Sequence, residues 1–118
     1  MVKYNGKLKK GSIKKLQEYI AYKIKERGFK DETLHERTLL LVEEVGELVK
    51  EVRKISGMYV EKNKRNKYEI GGEVADVINL LFEVAIKLKV DVEKEFITKE
   101  EKNDKRAYKR SVRQPADK

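Results

Sequence analysis

The sequence predicts an all-α fold, an antiparallel bundle of about four helices, on three observations. Apolar residues recur at intervals of three and four along most of the chain, the period of one helix face. No segment shows the apolar–polar alternation of a half-buried strand. Glycine and the capping types Ser, Thr and Asp stand mostly where the periodic stretches begin or end, and the one Pro, Pro115, lies near the C-terminus. The 118 residues suit a single domain. A basic segment (1–11) precedes the helical domain (12–110), and a basic tail (111–118) follows it.

Helix one is expected to start at Ser12 as N-cap, run to about Arg27 and stop at Gly28, with Ile13, Leu16, Ile20 and Ile24 on one face. Helix two is expected from Asp31 or Thr33 to about Ile55, with a stripe of Leu34, Leu41, Val45, Leu48, Val52 and Ile55, and Ser56-Gly57 ends it. Residues 57–67 read as a loop, because a cluster of Lys, Arg and Asn follows Met58-Tyr59-Val60 without apolar periodicity. Helix three is entered between Tyr68 and Gly72 and continues to Leu88. It is apolar nearly all round, which means burial on most sides, or burial on one side and pairing with another subunit on the other. Helix four is capped near Asp91 and runs through Val92 and Phe96 to about Arg110, polar in its second half. The connections are short, as in a helical bundle.

Composition removes several chemistries. The absence of Cys excludes disulfides, thiolate ligands and Cys nucleophiles, and the single His, His35, nearly excludes a zinc site of nitrogen and sulfur ligands. A metal here must sit on oxygen. No apolar stretch follows the basic N-terminus, so a signal peptide is not expected. Val77 to Leu88 is too short, and too broken by Asn79, Glu83 and Lys87, to span a bilayer. The cytoplasm is the expected location. Charged residues make up 42% of the chain, against roughly a quarter in an average globular protein. Their distribution is uneven. Residues 1–15 carry six Lys and no acid, residues 102–118 are also basic, and the stretch between is mildly acidic. Basic ends suit phosphate-bearing ligands or nucleic acid, and equally suit solvated termini.

The acidic middle holds a specific pattern. Glu44 and Glu47 lie three apart on helix two, and Glu73 and Asp76 lie three apart on helix three, so each pair shares a helix face. Packed antiparallel, the two helices can turn both pairs inward as a box of four carboxylates able to hold a hard cation such as Mg²⁺. Glu-x-x-Glu by itself arises readily in a chain with 21 acids, where the plain alternative is a solvated face. Glu73 and Asp76 carry more weight, because they open the most apolar helix, and buried carboxylates are costly unless paired or metal-bound. Gly46, inside helix two, costs about 1 kcal/mol relative to Ala, which suggests close approach of another helix or a ligand. Asn79 and Glu83 continue the face of Glu73 and Asp76, either steadying those ligands from behind or making a helix–helix hydrogen bond. Glu51 and Glu43 lie beside the helix-two pair, at the surface or just outside the ligands. Arg37, seven before Glu44, reaches a ligand or pairs with acids. His35, at a helix start, reads as structural or exposed. On helix four Lys99, Asn103 and Arg106 form one stripe flanked by Lys102. That is a polyphosphate-binding pattern or simply a Lys-rich surface.

Leu41-Val42-Glu43-Glu44-Val45-Gly46-Glu47-Leu48, followed after a gap by Glu73-Val74-Ala75-Asp76-Val77, resembles the MazG-like all-α nucleoside triphosphate pyrophosphohydrolases, whose pattern is Glu-Glu-x-x-Glu, a gap, then Glu-x-x-Asp. Glu101-Lys102-Asn103-Asp104-Lys105-Arg106 resembles the family's Lys/Asn/Arg element on its last helix, and the likeness covers residues 12 to 108. The resemblance implies cleavage of a nucleoside triphosphate between the α and β phosphates, giving a monophosphate and pyrophosphate and serving to remove non-standard or surplus nucleotides. It implies Mg²⁺, or Mn²⁺ in its place, on Glu44, Glu47, Glu73 and Asp76, with Glu43 as proton acceptor. It also implies Lys99, Lys102, Asn103 and Arg106 on the phosphates, and assembly as a homodimer or homotetramer. Ala107-Tyr108-Lys109 replaces the Tyr-Pro usual after the Asn in the dCTP-pyrophosphatase-like members, and no base-sandwiching aromatics are identifiable. The alternatives are a phosphoribosyl-ATP pyrophosphohydrolase, a nucleic-acid-binding helical protein using the basic ends, and a bundle with merely solvated carboxylates.

Overall fold

The computed structural model describes residues 8–28, 31–56 and 67–113. These form four helices, α1 (Ser12–Glu26), α2 (Leu34–Ile55), α3 (Lys67–Lys87) and α4 (Val92–Arg113), and no strand. The fold is all-α, as the periodicity predicts. Most of the expected 57–67 loop and of the basic ends (1–7 and 114–118) lies outside the described residues, and α3 already begins at Lys67.

The helix ends show why the boundaries fall where they do. Thr33 is the N-cap of α2. Its hydroxyl accepts from the Glu36 N–H at 3.0 Å, and the Glu36 carboxylate accepts from the Thr33 N–H at 2.9 Å, a reciprocal capping box. Holding that bond keeps the Glu36 carboxyl below its ordinary range. The N-cap of α1 is Gly11, not Ser12. Gly11 has φ 93° and no capping side chain of its own. The cap comes from another helix: Glu93 Oε1, in the first turn of α4, accepts from the N–H groups of Gly11 (2.8 Å) and Lys14 (3.2 Å). An anion there also complements the positive end of the α1 dipole. Helix α1 ends at a left-handed Gly28 (φ 76°), and α3 ends at a left-handed Lys89 (φ 58°). At the latter, Val90 N–H bonds to Ala85 C=O (2.9 Å) and Lys89 N–H to Ile86 C=O (3.0 Å), a Schellman ending.

Helices α2 and α3 form an antiparallel pair. Arg37 meets Glu83, while Glu44, further along α2, meets Glu73 and Asp76, earlier on α3. Helix α1 packs on the side of α3 that carries Phe82 and Ile86. There Ile20, Ile24 and Phe82 form the buried cluster, with Ile13, Ile86 and Val92 packed against it. Gln17 joins α1 to the α3–α4 turn, its Nε2 donating to Val90 C=O (2.8 Å) and its Oε1 accepting from Val92 N–H (3.0 Å). Helix α4 packs on α1 rather than along the α2–α3 pair. No helix among the described residues is long and apolar enough to cross a membrane.

Candidate metal centre

Glu44 occupies the face of α2 that meets α3, in register with Arg37 and Glu51 at spacings of seven. That is why the antiparallel packing brings Glu44 to Glu73 and Asp76. Carboxylate oxygens of Glu44, Glu73 and Asp76 all lie within 4.8 Å of one another. Glu44 and Glu73 are half-buried and Asp76 is exposed, so the cluster sits at the edge of the seam, open on one side. Glu47, the fourth expected ligand, is exposed on the next turn of α2 and outside this group of three. Its charge still reaches Glu73. Glu43 is exposed beside Glu44.

The electrostatics centre on Glu73. Its Oε2 is buried and has no hydrogen-bond partner. Burial pushes its carboxyl above the ordinary range. A hydrogen bond shared with Glu44, and the charges of Glu44, Asp76 and Glu47, push it the same way. Like charges gathered around a buried, unpartnered oxygen are costly in the protein alone, and a divalent cation offsets that cost. The donor set is all oxygen, which suits a hard cation such as Mg²⁺ or Mn²⁺. By these observations the residues fit the metal the resemblance implies.

The neighbouring polar groups are arranged as follows. Arg37 is buried and donates from Nη1 to Glu83 Oε1 at 2.7 Å, and it also pairs with Glu32. Of the two roles open to Arg37 in the sequence, pairing with acids is the one observed. Glu83 is correspondingly the acid of a helix–helix ion pair, while Asn79 is half-buried on α3. Glu51, expected at the surface or just outside the ligands, is buried and pairs with Lys54 at 3.0 Å. His35 is exposed in the first turn of α2. Among the described residues Gly46 does not serve a close helix approach, since a Cβ there would meet nothing within 4 Å.

The α4 stripe is placed differently. Lys99, Lys102 and Arg106 are exposed and Asn103 is half-buried, its Nδ2 donating weakly to Glu100 Oε1 at 3.4 Å. Because α4 packs on α1, the fold within one chain does not lay this stripe along the helices that carry the carboxylates.

Sequence reasoning missed Glu32, Gln17 and Glu93, whose partners are fixed by tertiary packing. It also missed a feature of α1. Tyr19 and Tyr22 are largely exposed (53% and 60%), with the Lys23 ammonium 5.7 and 5.8 Å from their ring centres. Their spacing from Ile20 and Ile24 already places them off the apolar face. Compared with protein-family models, with curated proteins and with solved structures, the chain matches none.

Proposed function

We propose that the protein is a Mg²⁺-dependent nucleoside triphosphate pyrophosphohydrolase, releasing a monophosphate and pyrophosphate. The observation that carries this reading is the meeting of Glu44, Glu73 and Asp76 around a buried, unpartnered carboxylate oxygen. The sequence pattern through Glu47 and Asp76 adds the reaction class. Glu44, Glu73 and Asp76, with Glu47 from the adjacent turn, would hold the cation. When bound, it supplies charge neutralisation for the phosphates and a more acidic water. Glu43, exposed and adjacent in sequence to Glu44, would accept a proton from that water, a role the resemblance implies. Lys99, Lys102, Asn103 and Arg106 offer donors for phosphate oxygens, a role supported by their stripe on α4 and by the resemblance. The same features suit a homo-oligomeric enzyme acting on non-standard or surplus nucleotides.

The test is incubation with Mg²⁺ and a panel of ribo- and deoxynucleoside triphosphates, with products separated by chromatography. Monophosphate plus pyrophosphate is expected, abolished by EDTA and by Glu73→Gln. Diphosphate plus phosphate would reassign the bond cleaved. Turnover of phosphoribosyl-ATP alone would move the protein to that substrate.

A second reading is favoured by one observation. Exposed Tyr19 and Tyr22 stand among Lys14, Lys15, Lys23 and Lys25 on α1, a combination that suits single-stranded nucleic acid. It predicts salt-sensitive binding of an oligonucleotide that weakens in Tyr19→Ala and needs no Mg²⁺.

A further inference from the structure

A cavity of about 360 Å³ opens between α1 and the end of α3, where the chain turns into α4. Its volume lies at the small end of the range of about 300–1,000 Å³ typical of small-molecule sites. Helix α1 supplies Lys14, Gln17, Glu18 and Ala21, spaced as one helix face. Ile86 at the end of α3 and then Lys89, Val90 and Asp91 of the turn complete the lining. Ile86 is ten residues past Asp76, about 15 Å along the helix, so the cavity is separate from the carboxylate cluster. We infer that it binds a free α-amino acid with an apolar side chain.

The class of ligand follows from the lining. Ala21, Ile86 and Val90 offer apolar surface to a side chain. Lys14 and Lys89 bring one ammonium from each wall, and neither has an ion pair or a side-chain hydrogen bond among the described residues. The Glu18 carboxylate is in the same condition. It stands four residues after Lys14 without pairing, and Lys before Glu is the order that pairs less well on a helix. Asp91 accepts from the Lys94 N–H at 3.2 Å with one carboxylate oxygen, leaving the second available. A plain anion would meet two acids here, and a plain amine would meet two ammonium groups. A nucleoside triphosphate, with several negative charges and no positive one, is a poor match for walls that carry both signs equally. A small zwitterion finds a partner for each charge. The ammonium groups of Lys14 and Lys89 suit an α-carboxylate, and Glu18 and Asp91 suit an α-ammonium.

The walls are held together without a ligand. Gln17 is bonded through both ends of its amide to Val90 and Val92, and the Lys89 and Val90 N–H groups close the end of α3. A site fixed in this way has little ordering left to do when a ligand enters. Lys89 is also the one residue other than Gly with positive φ among the described residues, at 58°. Gly would close the same turn without strain. Lys89 closes it with strain and adds an ammonium to the cavity, and backbone strain of this kind gathers where side chains meet ligands.

The experiment is a titration of the isotope-labelled full chain with L-leucine, L-methionine and L-phenylalanine, followed by amide-resolved NMR without metal or nucleotide. Saturable shifts at Ala21, Ile86 and Val90 are expected with at least one of them at millimolar concentration or below. No saturable shift with any of the three, or shifts that avoid this cavity, overturns the inference. The deamino acid and the decarboxylated amine of the best binder, and glycine, should each bind about tenfold more weakly or worse, the loss of one hydrogen bond to a charged group or of the apolar contact. Equal binding of the deamino acid or of the amine would make this a site for a simple ion and overturns the amino-acid assignment, as equal binding of glycine would overturn the apolar part. Two variants probe the walls. Lys89→Gly relieves the strained turn, and Lys14→Gln changes an exposed position, so both should keep or raise the Tm. Weaker binding in either supports the site, and undiminished binding in both overturns it. The readout is binding by metal-free protein, so it stands apart from whether the carboxylates hydrolyse a nucleotide.

Discussion

Arg37 of α2 and Glu83 of α3 form a 2.7 Å ion pair across the seam, with only 9% and 11% of their side chains exposed. The pair sets the register that delivers Glu44 to Glu73 two turns further along α2. Removing one partner leaves the other charge buried, which typically costs 3–5 kcal/mol. Glu32 also pairs with Arg37, so Glu83→Ala is expected to cost about 3 kcal/mol, the lower end of that range. The double replacement Arg37→Met with Glu83→Leu should recover most of the loss. Urea denaturation of the two variants checks both statements.

Metal-free protein should gain stability from Glu73→Gln. The folded-state carboxyl of Glu73 is raised by burial and then by its acidic neighbours. A carboxyl raised on folding favours the folded state most when protonated, and that contribution is lost as pH climbs through its raised value. At pH 7 the native side chain is therefore a strain that Gln relieves. Thermal melts should show a higher Tm for the variant in EDTA, and the Mg²⁺-induced rise of the parent should shrink or vanish.

The open space around Gly46 makes a signed prediction. With nothing among the described residues for a new Cβ to meet, Gly46→Ala should stabilise the metal-free chain by about 1 kcal/mol through helix propensity alone. If substrate fills that space during turnover, the same variant loses kcat/KM while melting higher. Melting curves and initial rates on one preparation separate the two effects.

At acid pH the capping box of α2 should fail first at Glu36. Its carboxyl is lowered by the bond from the Thr33 backbone and then by the Thr33 side chain. A lowered carboxyl contributes stability that is present above its ordinary value of 4.5 and disappears as pH falls through its folded value. Glu36→Gln should therefore flatten the loss of stability on the acid side, as read from urea midpoints between pH 6 and pH 3. Thr33→Ala should cost about 1 kcal/mol at neutral pH.

Lys89 occupies a left-handed position that only Gly adopts without cost. Lys89→Gly is expected to stabilise the α3–α4 turn by about 1 kcal/mol, and Lys89→Val to destabilise it, measured by thermal unfolding.

Much of this architecture was legible in the sequence because it rests on local rules. The helices follow from a 3.6-residue period, and the start of α2 falls at Thr33, one of the two starts, Asp31 or Thr33, that the sequence offered. The meeting of Glu44, Glu73 and Asp76 follows from two pairs spaced three apart on helices that pack antiparallel. Legibility ended where a residue's partner is distant in the chain. Ser12 has the right chemistry for an N-cap, yet Glu93 does the capping of α1 from 82 residues away. Glu51 looks like a surface acid and is buried, since the side of α2 that α3 covers is decided by packing. The α4 stripe is visible as a pattern, but its distance from the carboxylates depends on which helix α4 packs against, and periodicity does not encode that.

The bonds from Gln17 to Val90 and Val92, and from Glu93 to Gly11 and Lys14, also bear on the order in which the chain can fold. During synthesis α1 leaves the ribosome before the other three helices, but the groups that hydrogen-bond it in place are made more than seventy residues later. Helices α2 and α3 can close on each other as soon as both exist. For all that time the amphipathic face of α1 is exposed and its N-terminus uncapped. Helix α1 is then made before its partners but is among the last of the four helices to be fixed in place, and for that interval it is open to chaperones and proteases.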